Sequence, residues 1–175
     1  MAESFSNSLT RAAGIVTTST SASIGAGVTA ITGISTNGVA VGDMVNNAHF
    51  RGGAKVYSIG SGQVLVDKTS TNTITAANQL VDFMRGTTTY TSSGKSILVG
   101  GTFSNLTTNS INIFIEVGVG NTFVNLANNI PVPTGSSFVI SDAGKTILLD
   151  NEQVNVYCDT ASAVDVNVSV LAGVA

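Results

Sequence analysis

The sequence predicts an all-β protein, a small glycine-rich β module followed by an antiparallel β-sandwich or jelly roll. Three observations carry that expectation. Val and Ile recur in short alternating phrases, the spacing that places them on one face of an extended strand. Glycines and Ser, Thr and Asn, the last three filling 58 of 175 positions, break those phrases into strand-length pieces with turn chemistry between them. From Ile24 to Asp67 no 12-residue stretch offers a convincing helical apolar period.

In chain order, residues 1–16 are mostly polar. Phe5, Leu9 and the Ala12 and Ala13 pair would give a short helix one apolar side, and the segment is read as an N-terminal arm that orders against a partner. Residues 17–86 form the first module. Its candidate strands are Val28 to Ile31, Gly38 to Gly42 running into Asp43, Met44 and Val45, then Lys55 to Ile59, and Gln63 to Val66, with Gly60 to Gly62 as a turn. A barrel-like or two-layer β unit is the expectation. Residues 69–80 read as a polar linker, and Val81 and Phe83 restore alternation before a soft boundary near Gly86.

Residues 87–175 read more clearly. Ser96 to Val99 is one strand. Ile111, Ile113, Ile115 and Val117 alternate with Asn112, Phe114, Glu116 and Gly118, so the four aliphatics share a face. Thr122 to Leu126 follows, and Pro131 and Pro133 mark an edge or an extended connection because neither donates a ladder hydrogen bond. Ser137 to Ile140, Thr146 to Leu149 and Gln153 to Cys158 continue the series. Val164, Val166, Val168 and Val170 point to one side of the last strand, with Asp165, Asn167 and Ser169 on the other. Such a run of short strands is the pattern of a sandwich or jelly roll.

Composition excludes several classes. A hydrophobic fraction of 43% argues against intrinsic disorder, and no apolar run is long enough to insert in a membrane. Seven Lys and Arg and a net charge of −3 leave no basic patch for nucleic acid. The first five residues lack a basic segment followed by an apolar run, so synthesis in a cytoplasm is expected. Cys158 is the single cysteine, which rules out an internal disulfide framework.

The phrases that carry a family likeness lie mostly in the second half: Gly101 to Leu106 (GTFSNL), Asn109 to Ile115 (NSINIFI), Asn129 to Ile140 (NIPVPTGSSFVI), Lys145 to Glu152 (KTILLDNE) and Tyr157 to Leu171. Over about residues 87 to 175 the chain resembles a β-sandwich module of structural proteins of tailed bacteriophages, particularly phages of marine bacteria. Ile34 to Asp43 and Val56 to Val66 resemble a glycine-rich module of phage particle and adhesion proteins. The resemblance implies a non-enzymatic virion protein; head decoration that reinforces capsid contacts is the first choice because the chain is short, has no evident coiled coil and fits as a compact unit on a repeated lattice. Neck, tail or fibre component, or a glycan- or receptor-binding module, is the alternative. It implies the major capsid or neighbouring virion subunits as partners, homo-oligomeric contacts, and location in the virion.

No catalytic, cofactor or metal residues are assigned. Gly25 to Ala30 (GAGVTA), with Asp43 downstream, superficially supplies a dinucleotide fingerprint, but the residues after it are β-branched and broken by turns, so a turn is expected. His49 reads as a loop or interface histidine, with Arg51 beside it able to meet a carboxylate. Cys158 reads as a core thiol. Asp142, Asp150, Glu152, Asp159 and Asp165 lack calcium-loop spacing and read as solvated turns. Asn105 and Asn167 match glycosylation acceptor spacing and read as ordinary strand-surface residues. Phe5, Leu9, Arg51 and Phe114 are the candidate assembly contacts. Phe114 is included because it faces away from the aliphatic row, and its burial calls for a second layer or a neighbour.

Overall fold

A computed structural model describes residues 3–141 and 146–174. Among them are fifteen strands: β1 (Ser4–Ala13), β2 (Ile15–Ile24), β3 (Ala30–Thr32), β4 (Met44–Asn46), β5 (Val56–Gly60), β6 (Gln63–Val66), β7 (Ala76–Arg85), β8 (Thr87–Thr91), β9 (Ser96–Asn105), β10 (Ile111–Val119), β11 (Thr122–Val132), β12 (Ser137–Ile140), β13 (Thr146–Leu148), β14 (Gln153–Cys158) and β15 (Val164–Ala172). The protein is all-β, and the named strand pairs are antiparallel. Two compact units divide the chain. One joins the residues through Gly14 to those from Thr87 onward; the other is Ile15–Gly86.

The unit built from both chain ends has two sheets. One runs β1-β15-β9-β12, with β13 also paired to β9; the other runs β11-β10-β14-β8. Their inner faces contribute to one apolar cluster. Val164, Val166, Val168 and Val170 enter it from β15, Ile111, Ile113, Ile115 and Val117 from β10, and Val154, Val156 and Cys158 from β14. The period-two pattern thus marks the buried faces of these strands. Phe103 and Phe138 pack with ring centroids 6.1 Å apart in a tilted arrangement. Pro131 lies in β11, which is the outer strand of its sheet, where a missing N–H costs no ladder bond.

The expected arm is instead a strand. Ser4–Ala13 pairs with β15 from Ser4 opposite Ala172 to Ala13 opposite Val164, with a register shift between Thr10 and Ala13. Ser, Thr and Asn are poor helix formers, whereas β15 offers this segment a full row of backbone partners. Phe5, Asn7 and Leu9 consequently share one face of a strand rather than one side of a helix. Gly14 follows with φ +115, where an added Cβ would lie 2.6 Å from Thr160 O. Only glycine fits this exit from β1.

In the Ile15–Gly86 unit, six strands run β4-β7-β2-β3-β6-β5. An additional bridge joins Met44 of β4 to Lys55, beside backbone hydrogen bonds from Val45 N to Ala54 O at 2.8 Å and from Val56 N to Asp43 O at 2.9 Å. The core holds Ile24, Ile31, Val45, Phe50, Val56, Val64, Val66, Val81 and Phe83. The stretch expected as a linker contains the beginning of β7, whose Leu80 and Val81 sit opposite Ser21 and Thr20.

Candidate functional site

Two surfaces gather the sequence's candidate residues, one on each unit. The first is the outer face of the β1-β15-β9 sheet. Phe5 stands opposite Leu171, Leu171 opposite Ile97, and Ile97 opposite Ile147. Directly opposed residues project from the same face, so these four form an apolar row across four strands. Phe5 is 65% and Leu9 75% exposed. A polar row lies alongside, with Ser169 Oγ donating to Asn7 Oδ1 at 2.7 Å. Beyond it Leu9 opposes Asn167, at a groove of about 420 Å³ that Arg11, Thr102 and Asp165 also line.

Phe114 does not belong to this surface. It is 3% exposed within the single chain, opposite Tyr157 of β14, itself buried. No neighbouring subunit is needed to cover it, and its candidacy as an assembly contact is corrected on that ground. Phe5 and Leu9 are therefore separated from Phe114 by their burial.

The second surface is a groove of about 830 Å³ in the Ile15–Gly86 unit, lined by Arg51, Gly52 and residues 67–71. Two connections form its walls, the one between β4 and β5 and the one between β6 and β7. They are tied by Thr71 N donating to His49 O at 2.8 Å and Asp67 N to Lys55 O at 2.9 Å. Ser70 is buried and braces a third connection, donating its hydroxyl to Gly25 O at 2.6 Å and accepting from Val28 N at 3.3 Å. The Gly25 to Ala30 phrase is accordingly a turn between β2 and β3, and no helix follows it. A helix N-terminus, the group that would receive a pyrophosphate, is missing from that place.

Remaining candidates are engaged in local structure. His49 Nε2 lies 3.1 Å from Gln79 Oε1, and its backbone N donates to Asn47 Oδ1 at 2.8 Å. Cys158 is fully buried in the core. Burial pushes its thiol up to about 11, against a hydrogen bond from Thr160 N that favours the thiolate. Asp150 accepts from Gly94 N, Glu152 from Leu149 N, Asp159 from Asn112 N and Thr160 Oγ1, and Asp165 from Ala12 N. Each acid fixes a different turn or bulge, and no three metal-binding side chains converge among the described residues. Asp142 lies outside the described residues. Asn105 is buried; its amide nitrogen donates to Asn109 O and Val132 O, and its oxygen accepts from Thr107 N and Oγ1.

Sequence reading missed the role of Asp43. This carboxylate is 1% exposed, accepting from Arg85 Nε at 2.9 Å, Arg85 Nη2 at 3.1 Å, Ala40 N at 2.8 Å and Thr17 Oγ1 at 3.2 Å. The hydrogen bond to Asp43 raises the Arg85 guanidinium further above its ordinary value. The pair joins residues far apart in sequence, so spacing alone carried no signal for it. In comparisons with protein-family models, with curated proteins and with solved structures, the chain matches none.

Proposed function

We propose that the chain is a non-enzymatic structural protein of a tailed-phage virion, a head decoration protein whose larger unit is a jelly roll. The carrying observation is strand order. Eight-strand jelly rolls pair their first strand with the last, then the third and sixth, and pair the second with the seventh, fourth and fifth. With β12 and β13 lying end to end along β9 as one interrupted strand, the orders β1-β15-β9-β12 and β8-β14-β10-β11 follow that rule. This architecture recurs in viral capsid and lectin domains. In the smaller unit, the Met44 to Lys55 bridge links the two ends of the six-strand path and supports a small closed barrel.

The apolar row with Phe5, together with exposed Leu9, supplies a surface for neighbouring virion subunits and for further copies of the chain. Hydroxyl and amide groups around it make contacts that bury little charge, which is costly to desolvate. A density map of the assembled particle tests the reading. Density for the chain repeated over the head lattice is expected. Density confined to neck, tail or fibre rejects decoration, and absence of the chain from purified particles rejects the virion role.

A further inference from the structure

We propose that the groove between Arg51 and residues 67–71 binds a saccharide that carries a carboxylate. This goes beyond the structural role, which requires no ligand there. The groove is open to solvent, with a volume of about 830 Å³, within the ~300–1,000 Å³ usual for small-molecule sites. Two of the seven Lys and Arg residues of a chain with net charge −3 line it.

Their settings differ in a way that suits a ligand. Arg51 is exposed and has no ion-pair or hydrogen-bond partner for its guanidinium among the described residues, which leaves a planar fork of donors for a carboxylate. Lys68 Nζ donates to Gly52 O at 2.8 Å, so the ammonium is fixed at the wall and keeps further N–H bonds for a ligand. Asp67 gives one carboxylate oxygen to Lys55 N at 2.7 Å. Its other oxygen can accept from a ligand hydroxyl, as can the hydroxyls of Thr69 and of Thr71, the latter donating its own proton to His49 O at 3.2 Å.

That mixture discriminates among ligand classes. A simple inorganic anion such as sulfate meets both cations but has no hydroxyl to donate to Asp67. A neutral sugar would gain from an aromatic platform, and no lining residue is aromatic. A sugar acid places its carboxylate against Arg51 and Lys68 while its hydroxyls bond to Asp67 and the threonines. The ties from Thr71 to His49 and from Ser70 to Gly25 hold the walls in place before binding, which lowers the ordering cost.

The test is titration of the full-length isotope-labelled protein, followed by amide NMR shifts, with trigalacturonate, maltotriose and inorganic sulfate. Expected are saturable shifts in residues 49–55 and 67–72 with trigalacturonate alone, weakening as salt is raised. Arg51→Gln is expected to weaken that binding about tenfold, the loss of one charge-assisted hydrogen-bonded contact, at unchanged melting temperature because Arg51 is exposed. No shifts with trigalacturonate overturn the site. Equal binding of maltotriose or of sulfate overturns the ligand class, and unchanged affinity in Arg51→Gln overturns the role of its guanidinium. None of these outcomes bears on where the chain sits in a particle.

Discussion

Asp43 accepts four hydrogen bonds, and its near-complete burial makes that bonding consequential. Removing the carboxylate leaves the Ala40 N–H without its acceptor and the Arg85 guanidinium with Gly38 O alone, so Asp43→Ala is expected to destabilise the Ile15–Gly86 unit by about 3 kcal/mol. Urea unfolding measures this, and a loss below about 1 kcal/mol would show the carboxylate to be dispensable. Cys158 makes a pH-dependent prediction. Its thiol titrates near 9 when unperturbed and is pushed to about 11 in the fold, so the folded state holds a proton that the unfolded chain releases. The associated stability is fully present below pH 9 and is lost as pH rises toward 11. Relative to wild type, Cys158→Ala is expected to show a flatter decline across that window. A thiol reagent at neutral pH should label wild type only after unfolding; prompt labelling of the folded protein contradicts a sealed core thiol.

Strands were legible where one face is apolar. In β10 and β15 a buried aliphatic recurs at every second position, and alternation alone specifies both the strand and its inner face. β1, β2 and β8 escaped that reading because Ser, Thr and Asn occupy both faces. Ala13 is the only buried residue of β1, and Thr89 the only one of β8. Their strand state comes from backbone pairing with β15, β7 and β14, partners that a local window does not contain. Because Phe5 and Leu9 contribute exposed surface to β1 rather than core, the double substitution Phe5→Thr with Leu9→Thr is expected to change stability by about 0.5 kcal/mol or less per site while reducing incorporation into particles. Thermal melts and quantification in purified particles measure the two effects. Normal incorporation would remove this face from the proposed assembly surface.

At the scale of the whole molecule, one unit is inserted into the other between β1 and β8. Ile15 at the start of β2 pairs with Arg85 at the end of β7, so the ends of the inserted unit are neighbours, and Gly14 N lies 3.5 Å from Thr87 Oγ1, which brings the flanking residues of the host unit together as well. With its own buried cluster, the fragment 15–86 is expected to fold alone and unfold cooperatively. A collapsed amide NMR spectrum for the fragment contradicts that independence. The groove proposed for a sugar acid belongs to this level too, since Arg51 and Lys68 line one groove only because two connections distant in sequence are tied together. By itself, the sequence determined the all-β class, the inner faces of the strongly alternating strands and the core position of Cys158, because a side-chain period of two is a local property. Only the tertiary structure decided that residues 4–13 complete a sheet with the C-terminal strand, that Phe114 is covered within the chain, and that Asp43 meets Arg85. Each depends on contacts between distant residues, where backbone pairing and desolvation outweigh local preference.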